Sequence, residues 1–260
     1  MKAPDFRYVK PTTVDECLSL LAEHGDAAQV LAGGQSLMPL LNFRLAAPAV
    51  LIDINGLDAL GGIRDGDDTI TIGALERHEQ IAASPVVRRR LPLLADAAPH
   101  IGHVAIRTRG TIGGSVALAD SAAEWPACCL ALDARIELVS VRGRRSVPAV
   151  EYFQGLYTTA REPDELVTAI EFAVLAPNHV HAFREISRRG GDFAIAGLAF
   201  VAARNGAVLH NVRLALFGVA DRPLLASSAM GALEGQSLDA DLIARACDAL
   251  ADELAPPDDP

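Results

Sequence analysis

Two short segments carry residue types and spacing that could do chemistry. Ala32–Gly33–Gly34–Gln35–Ser36 follows an apolar run, and Thr111–Ile112–Gly113–Gly114–Ser115 leads into another. Adjacent glycines let a backbone take positive φ and approach a ligand closely. Consecutive N–H groups at such a corner, with a helix starting behind them, form an anion-binding nest. A diphosphate fits that nest. A plain left-handed turn joining strand to helix explains the same residues, and short glycine motifs arise often by chance. Two such turns in one domain, each entering a helix, gain meaning if they converge on one diphosphate. Neither segment matches GxGxxG or GxxxxGK[ST], so a Rossmann or P-loop fold is not supported. The chain contains no GxSxG and no HExxH, and neither a nucleophile nor an acid–base dyad is expected from it.

The elements that must position these turns follow from periodicity. Thr13 and Glu16 have capping-box spacing, and Val14, Cys17, Leu18 and Leu21 recur at helical period, with an end near His24–Gly25. Gln29 to Ala32 reads as a strand that stops at Gly33–Gly34, and Ser36 to Leu45 as the helix beyond. Ala49 to Ile54 and Thr69 to Ile72 read as buried strands, and Pro92 to Pro99 as a short helix. The second glycine pair opens an apolar helix within Thr111 to Ala119; a helix Glu124 to Leu132 and strands Arg135 to Val141 and Leu166 to Phe172 follow. Alternating strands and helices predict a mixed α/β layer structure. Pro177 sits in a loop and marks a boundary between residues 1–176 and 177–260. Beyond it, strand-like runs Ala182 to Ser187, Ala194 to Ala203 and Val208 to Val219 precede helices near Pro223 to Leu233 and Asp239 to Leu254. Strands first and helices afterwards predict a separate α+β unit. The tail Pro256–Pro260 is expected to be disordered.

Composition narrows the classes further. The 260 residues suffice for one large domain or two modest ones, and 50% hydrophobic with 22% charged residues is ordinary for a globular protein. A net charge of −10 disfavours nucleic-acid binding. The longest apolar run, Phe193 to Ala203, is too short for a transmembrane segment, which needs about 20 residues. No signal peptide is evident near Lys2, Asp5, Arg7 and Lys10. Cys17, Cys128, Cys129 and Cys247 form no CxxC pair and read as buried free thiols in a reducing compartment, so a soluble cytoplasmic protein is expected.

Three segments together resemble one family. LAGGQSLMPLLNFRLAAPAVLIDI is similar to the first flavin-binding stretch of the FAD-binding medium subunits of molybdenum hydroxylases, the xanthine dehydrogenase and carbon monoxide dehydrogenase type. IRTRGTIGGSVALADSAAEWPA resembles their second stretch, and REISRRGGDFAIAG the pattern that opens their C-terminal domain. The three lie in the family's order and cover most of the chain.

The resemblance implies an α+β fold: a two-subdomain FAD-binding domain of the vanillyl-alcohol-oxidase type, then a small C-terminal domain with a three-stranded antiparallel sheet and helices. By position, Val30, Leu31, Ala32, Gly33, Gly34, Gln35, Ser36 and Leu37 would wrap the diphosphate and ribityl of FAD. Thr111, Ile112, Gly113, Gly114 and Ser115 would close on the diphosphate from the other side. Glu124 falls at an acidic cofactor-binding position, Arg184 at a basic one, Val167 at a backbone contact, and Ile101 and Phe193 at positions flanking the isoalloxazine ring. The implied partners are a small 2Fe-2S subunit and a large molybdenum-cofactor subunit in a dimer of heterotrimers. The implied activity is electron transfer from the 2Fe-2S clusters through this flavin to NAD⁺, O₂ or a quinone. A self-sufficient FAD-dependent oxidoreductase and a flavin-less assembly module stand as alternatives.

This sequence departs from the family where Ser115 and Thr108 replace asparagine, so one hydrogen bond to FAD is expected to be lost or water-mediated. By the resemblance it is expected to stop before the family's final helix, and it lacks the cysteine-bearing insert that holds an extra iron–sulfur cluster in some relatives. Simpler roles stay open for single residues. Phe193 begins an apolar strand and fits a core position, Glu124 suits the first turn of a helix, and Arg107, Arg109 and Arg188–Arg189 can pair with acids or solvent. His100–Ile101–Gly102–His103 spells an aminoacyl-tRNA synthetase signature, but no lysine follows Lys10, and no third metal ligand is evident near the histidines.

Overall fold

The computed structural model describes residues 2–175 and 177–254. Ala176, the last residue before the boundary expected at Pro177, and the expected disordered tail at Pro256–Pro260 lie outside the described residues. Three main sheets organise the chain. The first is parallel, with Val50–Asp53 between Arg7–Val9 and Ala28–Leu31. Helix Val14–His24 covers it through Cys17, Leu18 and Leu21, and Thr13 caps that helix by accepting from the Glu16 N–H at 3.1 Å. The second is antiparallel, in the order Ile63–Asp65, Thr69–Gly73, Leu166–Ala173, Arg135–Ser140, Gly143–Pro148.

The third sheet runs His179–Ser187, Ala194–Asn205, Val208–Phe217, Leu224–Leu225. It has four strands where three were expected. The fourth is two residues long, pairs Leu224 with Leu216 and Leu225 with Ala215, and occupies what the sequence suggested was the start of a helix. That helix instead begins at Ser227. A two-residue strand beside a proline has no periodicity to read. Helices Ser227–Leu233 and Ala240–Glu253 pack on one face of this sheet, through Leu214, Leu216, Leu233 and Leu242. The other face, carrying Ala199, Val201, Ala215 and Phe217, joins the core of the preceding region. Burial on both faces explains the apolar run from Ala199 to Ala203, whereas Phe193 and Ile195 ahead of it are exposed.

The C-terminal sheet is therefore bound into one core with the chain before it. Helix Glu124–Ala131, buried along its whole length, is the shared element. Arg213 on the sheet donates to the Leu130 carbonyl at 2.7 Å and pairs with Asp133 at 3.0 Å. Among the described residues no helix is long and apolar enough to cross a membrane. Cys17, Cys128 and Cys129 are buried free thiols, but Cys247 is exposed on the last helix, contrary to expectation.

Candidate functional site

The first glycine turn leaves the C-terminal end of strand Ala28–Leu31 in the parallel sheet, where open sheets of this kind present ligand-binding loops. Gly34 has φ +72°, a left-handed conformation that glycine takes without penalty. Helix Leu37–Asn42 follows, starting one residue later and ending three earlier than expected. Among the described residues, the N–H groups of Gly33, Gly34, Gln35, Ser36 and Leu37 donate to no protein acceptor. Gln35 folds back to donate from Nε2 to the Gly33 carbonyl at 2.9 Å, which fixes the turn's shape. The result is a row of unspent donors at an open corner.

The segment Arg109–Gly110, which leads into the second turn, lies directly against the first. A Cβ placed on Gly33 would sit 2.7 Å from the Gly110 Cα and closer still to the Arg109 carbonyl oxygen. The chain meets itself here backbone to backbone, as the convergence argument required. The two turns offer different chemistry, however. Ile112 N–H donates to the Glu76 carbonyl, Gly113 N–H to the Ala74 carbonyl, Gly114 N–H to Thr111 Oγ1 and Ser115 N–H to the Thr111 carbonyl. Those donors are spent inside the protein, whereas the sequence suggested a second row like the first. Gly113 has no room for a side chain because Ala74 Cα lies 2.7 Å from where its Cβ would be. The segment thus seats the first turn, with Thr111 buried as its helix cap and Ser115 half-buried.

Polar residues without a glycine signature hold the seat. Asn55 Nδ2 donates to the Ala32 carbonyl at 2.8 Å, and its Oδ1 accepts from Arg77 Nη2 at 2.7 Å. Arg77 Nη1 donates to the Arg109 carbonyl. His78 packs under Gly110, where an added Cβ would meet its Nε2, and its Nδ1 accepts from Trp125 Nε1–H at 2.8 Å. Burial pushes the His78 imidazole down to about 4, with the charges of Arg77 and Arg107 adding to the effect. None of these residues was a sequence candidate. Asp53–Ile54–Asn55–Gly56, polar residues closing an apolar strand, is the one signal that was available.

The remaining candidates gather elsewhere. Ile101 is nearly buried and follows the single turn Ala98–His100. Phe193 is 74% exposed, which excludes the core role that its sequence context suggested. Their loops abut, since a Cβ on Gly191 would lie 2.6 Å from the His103 ring and 3.2 Å from the Gly102 carbonyl carbon. Arg107 ties the Ile101 loop to the second turn by donating to the Pro99 and Gly102 carbonyls, and it pairs with Glu79 at 3.1 Å. Glu124 begins its helix in a buried position, and burial pushes its carboxyl up to about 8, with the charges of Glu185 and Asp120 adding to the rise. Burial outweighs the backbone hydrogen bond that works to lower it. Arg184 is exposed and donates to its neighbour's carbonyl, Phe183 O, at 2.7 Å. Val167 is buried in strand Leu166–Ala173, against which helix Ile112–Leu118 packs.

Comparison with known sequences resolves what this assembly serves. The family described as the FAD binding domain in molybdopterin dehydrogenase matches residues 4–175. The chain belongs to this family of FAD-binding subunits of molybdenum hydroxylases. The CO dehydrogenase flavoprotein C-terminal domain matches residues 181–260. The carbon monoxide dehydrogenase medium chain of Hydrogenophaga pseudoflava is 38% identical, over 96% of this chain and 87% of its own. The glyceraldehyde dehydrogenase medium chain of Sulfolobus acidocaldarius is 36% identical, over 100% and 92%. The solved carbon monoxide dehydrogenase of H. pseudoflava superposes with a TM-score of 0.97 at 39% identity, covering 100% of this chain and 90% of that one. FAD is accordingly the cofactor, and the chain is an oxidoreductase subunit. The residues present suit it: the unspent N–H row from Gly33 to Leu37 is complementary to a dianionic diphosphate.

Proposed function

We propose that this FAD subunit accepts electrons from the 2Fe-2S clusters of a small partner subunit and passes them to an external acceptor. Substrate oxidation then takes place at a molybdenum centre in a large partner subunit, and the assembly is a cytoplasmic dimer of heterotrimers. The observation that carries the reading is the contact between the two glycine turns, with the unspent donors of Gly33 to Leu37 beside it. The names of the relatives support the division of labour, since they are medium chains of multi-subunit dehydrogenases.

In this reading residues 1–176 form a flavin domain of the vanillyl-alcohol-oxidase type and residues 177–260 the C-terminal domain. Bound FAD supplies two-electron and one-electron redox chemistry, and the protein supplies binding, orientation and electrostatics. Residues 30–37 hold the diphosphate and ribityl, and Thr111 and Ser115 reach it with hydroxyls. Glu124, Val167 and Arg184 contact the cofactor further along, and Ile101 and Phe193 flank the ring. The exposure of Phe193 favours its role there, because an apolar side chain of that size left open in the free chain has surface to cover.

The test is a visible spectrum of the chain purified with its natural partners. Flavin bands together with iron–sulfur absorbance are expected. Turnover of an organic donor by the chain alone would instead mark a self-sufficient oxidoreductase, and a colourless product after purification in excess FAD would mark a flavin-less module.

A further inference from the structure

We infer that Arg77 is a positioning residue that locks the two glycine turns into one FAD cradle, held from behind by Asn55, Asp53 and Tyr8. The inference rests on the FAD reading. The two turns meet through Gly33 and the Arg109–Gly110 backbone, so no side chains interlock at the contact. A contact of this kind needs a tether outside it. Arg77 provides one by splitting its guanidinium: Nη1 donates to the Arg109 carbonyl of the second turn, and Nη2 donates to Asn55 Oδ1 at 2.7 Å. Asn55 completes the link to the first turn through Nδ2, at 2.8 Å from the Ala32 carbonyl and 3.4 Å from the Leu31 carbonyl.

The chain of bonds continues into the parallel sheet. Asp53 Oδ1 accepts from both the Asn55 N–H at 2.9 Å and Asn55 Nδ2 at 2.6 Å, which fixes the amide's rotamer. Its Oδ2 accepts from the Tyr8 hydroxyl at 2.5 Å. Burial works to raise the Asp53 pKa, but hydrogen bonds from Tyr8 and Asn55 outweigh it, so the carboxyl stays an acceptor. Tyr8 and Asp53 lie on neighbouring strands, Arg7–Val9 and Val50–Asp53, and the tether is therefore anchored to rigid structure. Arginine suits the position because its planar fork offers two donors in fixed directions, which a lysine ammonium does not. Holding the turns together before the cofactor arrives removes an ordering cost from binding.

The test measures FAD affinity of the full-length chain by quenching of flavin fluorescence, for wild type, Arg77→Met, Arg77→Lys, Asn55→Ala and the Asn55→Ala/Arg77→Met pair. Loss of hydrogen bonds made by a charged group should weaken FAD binding about 10- to 100-fold in Arg77→Met. Arg77→Lys should fall between that variant and wild type. The pair should be no weaker than the worse single variant, because both residues serve one link. Tyr8→Phe, at the exposed end of the chain of bonds, should cost only a few-fold and supplies a folded control. Hydrogen exchange in the absence of FAD should quicken at residues 31–37 and 109–111 in Arg77→Met.

Wild-type affinity in Arg77→Met, full rescue by Arg77→Lys, or additive losses in the pair would each overturn the inference. If the wild-type chain takes up no FAD, the cofactor reading fails instead, and unchanged exchange at the two turns then decides against Arg77 separately.

Discussion

Replacing Gly33 by alanine or valine is expected to leave a folded chain that no longer retains FAD. The reason is the first atom of the new side chain. A Cβ at Gly33 falls 2.7 Å from the Gly110 Cα, and it meets backbone, which cannot rotate away. One turn must shift by several tenths of an ångström, at a cost of about 1–3 kcal/mol for overpacking. On the proposed reading the shift also disturbs the unspent N–H groups of residues 33–37 that would hold the diphosphate. Each charge-assisted hydrogen bond lost removes about 1.5–3 kcal/mol, so FAD affinity should fall by more than about 100-fold. The hydrophobic cluster under the turn, built on Cys17, Leu21, Val50 and Ile52, does not include Gly33, so thermal unfolding should move by only a few degrees. Valine at Gly114 should be milder, since its Cβ would meet a side-chain oxygen, Thr111 Oγ1, at 2.9 Å, in an exposed position. Flavin-to-protein absorbance ratios after gel filtration decide the matter. A Gly33→Ala chain with a full flavin complement would mean that the two turns do not form the cradle.

That prediction depends on a contact the sequence could only suggest. Glycine pairs, helix caps and apolar strands are local features, and the elements built on them lie where periodicity put them: Leu166–Ala173, Ala194–Asn205 and Ala240–Glu253 are examples. Adjacency of Gly33 and Gly110 is not local. It arises because helix Ile112–Leu118 packs on strand Leu166–Ala173 while Arg77 and Asn55 reach across from other loops. Arg77 has no signature because a half-buried arginine bonded to neutral acceptors resembles any surface arginine in a sequence.

Other elements were hidden for separate reasons. Strand Gly143–Pro148 carries Arg144 and Arg145 and shows no apolar face; it is an edge strand whose pairing with Arg135–Ser140 comes from a tight turn. Arg145 is held by Glu165 at 2.6 Å, a pairing made only after folding. Phe193 looked like core because it heads an apolar run, yet the run's buried register starts one residue later, at Ala194. The fate of the Ile112 and Gly113 N–H groups was illegible for a similar reason, as their acceptors, Glu76 and Ala74, belong to a loop with no pattern of its own.

Glu124 should make the FAD-free chain lose stability as pH rises from 6.5 to 8, and Glu124→Gln should abolish that loss. Glu124 has its carboxyl raised from 4.5 to about 8 by burial, with Glu185 and Asp120 contributing. Between those values the folded chain holds a proton that the unfolded chain has released, so stability falls with rising pH, by at most about 1.4 kcal/mol per unit. His78 acts in the opposite sense. Burial lowers it from 6.5 to about 4, so in that interval the unfolded chain binds the extra proton and stability rises with pH. The two slopes oppose each other between 4.5 and 6.5 and leave a plateau. Above 6.5 the Glu124 slope is no longer opposed by His78, and its accumulated loss by pH 8 is on the order of 2 kcal/mol. Urea midpoints at pH 5.5, 6.5 and 8 should therefore be level and then drop for wild type. For Glu124→Gln they should rise to 6.5 and stay there, because His78 alone remains. A decline from 6.5 to 8 that survives the glutamine substitution would place the carboxyl in its ionised form within the fold, and Glu124 could then meet the cofactor only as an acceptor.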